Sequence, residues 1–392
     1  MLLLLPMNTN KQNEETLKHR NEIISRYQKP DVFSKVLCDR ADAYFEEKGV
    51  AKHDGGAVVF INLTLALLFY LVPYFLLLAG TLPNIWWVLL LGVIQSNGFV
   101  MIGTNMHHGS HGSFHQNKHI NRFVKKLVWI IGAADDIWFV QHVTLHHSHT
   151  NIHRVDGDLH SGEGSLYFSK FAKTPWINQY QHIYGMALYG LSFLSRILIA
   201  DFKQLHIYCE KGYMNTRKKS YRHQLLQLII SKIIFFSVVL LLPLLMGVPF
   251  VHALVLWLSC VIVAGFKLTP IFQLAHINEW APQQLDEACG KDTFVRHQMK
   301  SSVDFYWGKN PTVDWLATMY WGGLNYQCIH HIWPRISYVH YPALAKILGE
   351  VCDMQQFKDE TYHRLPYHQV LTSHIRTLKK IGFQIGPELM EG

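Results

Sequence analysis

The segment WFVQHVTLHHSHTN, residues 138–151, carries four histidines within eight positions. His142 and His146 are four residues apart, so on an α-helix they lie on the same face. His147 is rotated by roughly 100° from His146 at 3.6 residues per turn, so it can reach a second metal. Imidazoles clustered in this way are typical ligands of first-row transition metals. The segment therefore predicts a metal site built on helices.

Two further clusters and one isolated histidine extend this pattern. Residues 105–114 read NMHHGSHGSF, with one pair of histidines four positions apart. Residues 324–334 read LNYQCIHHIWP, with two adjacent histidines one helical turn after Gln327. His276 stands alone in FQLAHINEW, residues 272–280. The two clusters contribute His107, His111, His330 and His331.

The four segments together supply eight imidazoles, which is enough to coordinate two metal ions almost fully. Gln327 could add an amide oxygen as a ninth ligand. Asp156 and Asp158 could orient ligand rings by accepting a hydrogen bond from the second ring nitrogen, or could equally be turn residues. The candidate metal ligands are His107, His111, His142, His146, His147, His276, His330 and His331. Five neighbouring histidines are expected at the surface or as hydrogen-bond partners, namely His108, His115, His119, His149 and His153.

Four apolar stretches approach or exceed the roughly 20 residues that cross a bilayer. They form two pairs joined by the short connections TLPN and GVP, which contain no Lys or Arg. The positive-inside rule then places the amino-terminal, middle and carboxyl-terminal segments in the cytosol. The predicted fold class is all-α integral membrane, with four transmembrane helices in two hairpins and a helical cytosolic cap that holds the metals. The predicted spans are about residues 57–80, 85–103, 225–247 and 251–275.

The amino-terminal arm, residues 1–56, is predicted to be cytosolic. Phe33, Leu37, Ala41 and Tyr44 recur in it at helical spacing, with charged residues between them. This pattern is typical of an amphipathic helix that lies on a membrane surface. The sequence therefore predicts an interfacial helix just before the first span.

The composition supports contact with a membrane and gives no support for a nucleic-acid-binding protein. The chain is 49% hydrophobic and 16% charged, whereas a soluble domain carries roughly 25% charged residues. The formal net charge is +8. A basic balance suits an anionic leaflet, an anionic substrate or a nucleic acid. The sequence contains no nucleic-acid motif, so a membrane surface and an anionic lipid or CoA head are the expected partners.

At these histidines the chain resembles the membrane fatty acid desaturase family, in particular its front-end and acyl-CoA members of bacterial type. The family's three histidine boxes match His107-x-x-x-His111, His142-x-x-x-His146-His147 and Gln327-x-x-His330-His331. The surrounding segments also resemble the family's sequences, namely LHHSHTNI, YQHIYGMALYG, FQLAH and HHIWPRISYVHYPALAKI. The similarity extends over about residues 30–385, and residues 57–392 are identified as the desaturase domain.

The resemblance implies an oxygen-dependent enzyme with two iron ions (Fe²⁺/Fe³⁺) that introduces a double bond into a fatty acyl chain. By that resemblance seven histidines are catalytic as well as metal-binding: His107, His111, His142, His146, His147, His330 and His331. His276 would be the eighth iron ligand, and Gln327, Asp156 and Asp158 would support the cofactor. The substrates would be O₂ and an acyl-CoA or acyl-lipid.

The sequence contains no H-P-G-G word of the kind found in fused haem domains. Electrons are therefore expected from a separate ferredoxin or b-type cytochrome with its reductase. The expected location is a bacterial inner membrane, with the active site on the cytosolic side. Two alternatives remain open at this stage. One is a lipid hydroxylase of the same superfamily, and the other is a histidine-rich membrane metal transporter.

Overall fold

A computed structural model of the chain describes residues 27–80, 82, 84–159, 165–172, 174–214, 220–285 and 291–383. The part of the predicted arm before residue 27 lies outside these ranges. Nearly all regular structure is helical, as the predicted fold class requires. The exception among the described residues is a parallel pair of short strands, β1 (Asp304–Tyr306) and β2 (Arg364–Pro366).

The helices are numbered here in chain order. In the segments Trp176–Glu210 and Tyr221–Leu245 the consecutive α, 3₁₀ and π segments are counted as one helix. They are α1 (Val32–Lys48), α2 (Gly56–Leu78), α3 (Ile85–His111), α4 (Lys118–Lys126), α5 (Asp135–Phe139), α6 (Trp176–Glu210), α7 (Tyr221–Leu245), α8 (Phe250–His276), α9 (Phe294–Ser301), α10 (Pro311–Tyr320), α11 (Gln327–Ile332), α12 (Tyr341–Cys352) and α13 (Tyr367–Phe383). Short 3₁₀ turns occupy Leu127–Ile131, Tyr338–His340 and Gln355–Phe357.

Five helices of the described ranges are long and apolar enough to cross a membrane. Four of them, α2, α3, α7 and α8, coincide with the predicted spans. The fifth is α6, which the sequence does not predict as a span. Its apolar run is interrupted by Arg196, Asp201 and Lys203, and a π-helical turn begins at Arg196. Polar residues of this kind lower the hydropathy that signals a span.

Close packing against α8 gives α6 its place in the fold. A methyl group at Gly265 of α8 would lie within 2.6 Å of the carbonyl oxygens of Tyr189 and Gly190 in α6. The crossing of α2 and α3 is equally close, because a methyl at Gly98 of α3 would clash with the backbone of Tyr70 in α2. Small residues at such crossings let the backbones of apolar helices approach each other closely.

The helix predicted in the amino-terminal arm is present as α1. Asp31 caps it by accepting a hydrogen bond from the backbone N–H of Ser34 at 2.9 Å. Its apolar residues Phe33, Leu37 and Ala41 are buried, and the helix packs on α12. The apolar face is therefore covered by protein, whereas the sequence predicts that it contacts a membrane surface.

The carboxyl-terminal helix α13 ties the cap to the apolar helices. His374 lies between the hydroxyl of Tyr189 in α6 and the backbone carbonyl of Ile277, each at 2.7 Å. At the far end of α13, a methyl at Gly382 would clash with the backbone of Asn178. These contacts hold the end of α8, and with it His276, against the cap.

Candidate metal centre

Two apolar helices present histidines at the ends that face the cap. His107 and His111 lie in the last turn of α3, which ends because Gly112 adopts a φ of 74°. Only glycine enters this left-handed region without a steric cost, so it is the usual residue after a helix. His276 is the last residue of α8. The ends of α3 and α8 thus determine where these three imidazoles lie.

A π-helical turn changes the grouping that the sequence predicts for the second histidine box. Val140–His146 continues α5 as a π-helix, and the backbone N–H of His147 donates to the carbonyl of His142, five residues earlier. This wider turn places the Nε2 atoms of His142 and His147 3.1 Å apart. The α-helical expectation pairs His142 with His146 on one face. In the structure His142 joins His147, and π-turns of this kind occur often at functional sites.

Five histidines from three segments converge on one point. Nitrogen atoms of these rings, one from each, all lie within 4.8 Å of one another, and every ring is buried. Besides the His142–His147 contact, the Nε2 atom of His107 lies 2.9 Å from that of His142. The Nε2 atoms of His330 and His147 are 3.0 Å apart. This first histidine group consists of His107, His111, His142, His147 and His330.

The spacing of the first histidine group fits a bound metal ion. Imidazole nitrogens lie about 2.1 Å from a first-row metal, so two ligands at right angles stand roughly 3.0 Å apart. The closest nitrogen pairs of the group match that spacing. The Nε2 atom of His111 is buried and has no hydrogen-bond partner among the described residues. An unpaired buried nitrogen of this kind is costly unless something coordinates it.

A second histidine group has three members, each from a different segment. It consists of His146, His276 and His331, all buried. Each ring is held through Nδ1: His146 by Asp156 at 3.0 Å, His276 by the carbonyl of Ser301 at 3.0 Å and His331 by the hydroxyl of Thr150 at 3.1 Å. The Nε2 atoms of His276 and His331 have no hydrogen-bond partner among the described residues. Holding one nitrogen in this way fixes the tautomer and points the other at a metal.

Two carboxylates set the electrostatics of the second box. Burial opposes protonation of His146, but the charges of Asp156 and Asp158 outweigh it and raise its pKa to about 9. Asp158 lies 3.5 Å from His146 and 3.9 Å from His142. Burial would raise the pKa of Asp158, yet His146 and His142 hold it well below its usual range. A carboxylate partner makes an imidazole a stronger metal ligand.

Burial favours the neutral form of four other rings of the two histidine groups. Burial lowers the pKa of His147, His330 and His331 well below the ordinary histidine value, and neighbouring imidazoles lower it further. Burial also lowers the pKa of His142, although Asp158 opposes the shift. A neutral imidazole has a free lone pair, which is the form that binds metal ions.

Gln327 is buried at the start of α11, the helix that carries His330 and His331. Neither its amide oxygen nor its amide nitrogen has a hydrogen-bond partner among the described residues. A buried amide of a folded protein is normally hydrogen-bonded. The unpaired amide is consistent with the predicted contact to a metal or to a metal-bound molecule.

The remaining histidines near the boxes belong to neither histidine group. His108 is buried, with its Nε2 atom 2.6 Å from the carbonyl of Gly322. His149 contacts the carbonyl of Leu145 through Nδ1, and His153 contacts the hydroxyl of Ser169. His108 and His153 thus connect their segments to other parts of the chain, whereas the contact of His149 lies within its own segment. His119, in contrast, is exposed.

Sequence reasoning misses a buried chain of polar side chains behind the second box. Gln141 donates to Asp158 at 2.6 Å and accepts from Arg196 at 2.7 Å. Arg196 also pairs with Asp201, which is fully buried and bonds to Lys232 at 2.7 Å. The signal that could have found this network was the presence of Arg196, Asp201 and Lys232 in apolar helices, because charges in such places almost always pair.

An apolar wall flanks the first histidine group. The indole of Trp138 stacks on His142 with ring centres 4.5 Å apart. The ring of Phe272 lies 6.2 Å from His142 and 6.4 Å from His107. This pairing of coordinating nitrogens with apolar rings suits a metal site that acts on an apolar molecule.

Comparison with known proteins gives one family for most of the chain. The family model described as fatty acid desaturase matches residues 80–362. This range contains both histidine groups and Gln327. The match therefore covers the metal centre itself and most of the apolar helices.

Three curated relatives show similarity over most of their length. A sn-1 linoleoyl-lipid 6-desaturase of Arthrospira platensis is 28% identical over 329 residues, which cover 82% of this chain and 85% of the relative. The protein of that name from Synechocystis is 28% identical over 357 residues, covering 89% and 95%. Acyl-lipid (8-3)-desaturase B of Dictyostelium discoideum is 29% identical over 351 residues, covering 83% and 70%.

Proposed function

The chain belongs to the fatty acid desaturase family, and we propose that its two histidine groups each hold one iron ion. It is an oxidoreductase that acts on a fatty acyl chain with O₂. The observation that carries the iron proposal is the convergence of eight histidines from four distant segments into groups of five and three. Imidazole-rich donors of this kind suit iron, among other first-row metals.

The reaction removes one hydrogen atom from each of two neighbouring methylenes. With O₂, two electrons from a donor and two protons, the products are a carbon–carbon double bond and two water molecules. The iron ions would supply the redox chemistry that lets O₂ attack an unactivated C–H bond. The relatives are named desaturases, which favours this outcome over the hydroxylase and over the metal transporter.

The residues of the chain contribute position and exclusion of water. Asp156, Ser301 and Thr150 each hold one ring of the second histidine group through Nδ1. Trp138 and Phe272 offer apolar surface beside the first group, where methylenes of the acyl chain would lie. Each buried methylene contributes about 0.8 kcal/mol to binding, so the chain can be anchored by its length alone. Precise placement of the reacting carbons is the main task of such a scaffold.

The substrate is proposed to be an acyl chain esterified in a membrane lipid, with the new double bond towards its carboxyl end. The similarity to two proteins named sn-1 linoleoyl-lipid 6-desaturase supports this choice over acyl-CoA. Electrons are proposed to come from a separate ferredoxin or b-type cytochrome with its reductase.

Four crossings of the membrane are proposed, although five helices have suitable length. His142 precedes α6 in the chain and His330 follows α8, yet both belong to the first histidine group. The two helices α7 and α8 form a hairpin, so α6 must begin and end on the side of the metal centre. Its last part reaches the centre through Arg196 and Gln141. These contacts support α6 as a helix that dips into the bilayer without crossing it.

The contact between α1 and α12 also supports an even number of crossings, because α1 precedes the first long apolar helix and α12 follows the last. The positive-inside rule makes that side cytosolic. Cyanobacterial relatives fit a bacterial membrane, and we propose the bacterial inner membrane with a cytosolic active site.

Expression in a host of known lipid composition tests the function. Total fatty acids are profiled by gas chromatography–mass spectrometry, with a ferredoxin and its reductase supplied and iron in the purified protein measured. A new unsaturated acyl chain is expected, and its fragmentation locates the double bond. A hydroxylated chain, or an unchanged profile from iron-loaded protein, would refute desaturation of the host's acyl chains.

Two paired variants connect the activity to the histidine groups. His146→Ala with His147→Ala removes one ligand from each group and is expected to abolish both the product and the bound iron. The matched control is His119→Ala with His223→Ala, which removes two exposed histidines outside both groups. Equal loss in the two double variants would contradict the assignment of the histidine groups.

A further inference from the structure

A polar cavity of about 670 Å³ lies beside the first histidine group. We call it the basic cavity. Its lining includes His111, Lys118, Arg122, Lys125, Lys126 and Arg335. His111 belongs both to the cavity lining and to the first histidine group. The basic cavity therefore adjoins the first histidine group through His111.

The basic cavity carries excess positive charge. Lys125 is neutralised by Asp135 at 3.1 Å and Asp136 at 3.2 Å. Its other cations form no ion pair with any described residue. Three of them, Lys118, Arg122 and Lys126, are spaced four residues apart on α4, so they line one face of the helix and are exposed. Arg335 adds a charge from a distant segment, so the set suits an anionic group.

Three exposed apolar side chains lie in or next to the segments that form the basic cavity, and Trp129 is one of its lining residues. Phe123, Trp129 and Ile130 are 63%, 40% and 36% exposed, which is unusual for large apolar side chains next to lysines. Exposed aromatic residues beside basic ones are typical of the boundary between acyl chains and headgroups.

The position of the reacting carbons requires a headgroup site close to the metals. If the double bond forms at the sixth carbon, the position in the names of the Arthrospira and Synechocystis relatives, it begins five bonds from the carboxyl carbon. An extended chain covers about 6 Å in that distance, at roughly 1.2 Å per bond. The ester and the headgroup of such a substrate must then lie just outside the histidine groups. The basic cavity is polar, includes His111 in its lining and lies beside exposed apolar side chains, so it meets this requirement.

We propose that the basic cavity binds the phosphate-bearing headgroup of an anionic membrane glycerolipid whose acyl chain is the substrate. This inference rests on the proposed function and names the lipid class that it acts on. Lys118, Arg122, Lys126 and Arg335 attract the phosphate, and the ester then lies beside His111. The headgroup thereby sets which carbons reach the metal centre, counted from the carboxyl end.

A competition between two lipids tests the inference. Full-length, iron-loaded protein is placed in nanodiscs that contain equal amounts of phosphatidylglycerol and phosphatidylcholine, whose acyl chains carry different isotope labels. Wild-type protein is expected to desaturate phosphatidylglycerol at least ten-fold faster. The Lys118→Gln/Arg122→Gln/Lys126→Gln variant should lower that ratio to about one, and Arg335→Gln should lower it in part. Native mass spectrometry of the lipids retained by each variant gives a second readout that does not depend on turnover.

The control is Lys309→Gln/Lys358→Gln/Lys379→Gln, which removes three exposed charges outside the basic cavity. It should keep the wild-type ratio and the wild-type retained lipid. An unchanged ratio and unchanged retention in the α4 variant would overturn the inference. So would a variant that raises only the KM for the reduced electron carrier, because the basic cavity would then be the docking surface of that carrier.

The failure of the proposed function gives a different result. If wild-type protein with bound iron desaturates neither lipid and no acyl-CoA, the function itself is refuted. Equal desaturation of both lipids by the wild type leaves the function intact and removes only the headgroup site. A strong preference for acyl-CoA, weakened by the α4 variant, would overturn the choice of a membrane lipid.

Discussion

The Nδ1 atom of His146 lies 3.0 Å from each of the two carboxylate oxygens of Asp156, and both side chains are almost completely buried. The same carboxylate accepts hydrogen bonds from the backbone N–H groups of Asn151 and Asp158. Four interactions thus hold one carboxylate rigid behind one imidazole. This relationship orients the ring of His146 through its Nδ1 atom within the second histidine group.

The first prediction concerns this contact. Asp156→Asn keeps the shape of the side chain but removes the charge that raises the pKa of His146. Loss of a partner that orients a ligand typically lowers metal affinity or activity by about 10- to 100-fold. Iron content by mass spectrometry and turnover should both fall. Asp353→Asn, an exposed position outside the metal centre, is the control. Normal iron content with normal turnover in Asp156→Asn would show that the contact is dispensable.

The second prediction concerns the buried ion pairs in α6 and α7. Asp201→Asn leaves Arg196 and Lys232 without their counter-charge. Removing one partner of a buried pair destabilises a protein by about 3–5 kcal/mol, whereas replacing the whole pair is often neutral. Thermal unfolding in detergent should show a large fall in Tm for Asp201→Asn. The double variant Asp201→Asn/Lys232→Met should recover much of it, and a double variant no better than the single one would contradict this account.

The third prediction concerns the crossing of α6 and α8. Gly265→Ala adds a methyl that would meet the carbonyl oxygens of Tyr189 and Gly190. Overpacking of this kind costs about 1–3 kcal/mol, so Tm should fall. Gly349→Ala in α12 is the control, since its added methyl meets no atom within 4 Å. That change should raise stability slightly, because alanine favours a helix by about 0.5–1 kcal/mol over glycine. Equal Tm values for the two variants would show that α6 can move away.

The fourth prediction concerns the pH dependence of stability through Asp304. Burial raises its pKa to about 7, although Tyr362, Arg364 and the backbone N–H of Cys328 oppose the shift. A carboxyl whose pKa is higher in the folded chain binds its proton more tightly there. Its contribution to stability is therefore complete below about pH 4 and is lost as the pH rises to about 7.

Comparison of unfolding profiles isolates this contribution. Asp304→Asn cannot ionise, so its stability should fall less than that of the wild type as the pH rises from 4 to 8. The difference between the two Tm values should therefore change steadily across that range. A constant difference would mean that Asp304 has the same pKa in the folded and the unfolded chain, and would contradict this account.

Local sequence patterns were sufficient to predict four of the long apolar helices and the candidate histidines. Apolar length located α2, α3, α7 and α8, because a bilayer demands about 20 apolar residues in succession. The eight candidate metal ligands of the sequence are the eight histidines of the two histidine groups. Both results depend on residue type and spacing along the chain, which a sequence displays directly.

Grouping and topology depended on contacts between distant segments. A π-turn placed the Nε2 atom of His147 3.1 Å from that of His142, while the ring of His146 also stacks on His142 with ring centres 5.3 Å apart. The apolar face of α1 packs on α12. Amphipathic periodicity predicts that such a face is covered, but it does not predict whether protein or membrane covers it. The ion pairs of Asp201 with Arg196 and Lys232 joined two helices to the metal centre.

The sequence by itself therefore determined the helical class, four of the five long apolar helices of the described ranges and the eight histidines that form the two histidine groups. Only the tertiary structure decided how eight imidazoles divide into five and three, and what surrounds them. The reason is physical: spacing specifies a direction around one helix, whereas the distance between rings on different helices is set by packing across the whole fold.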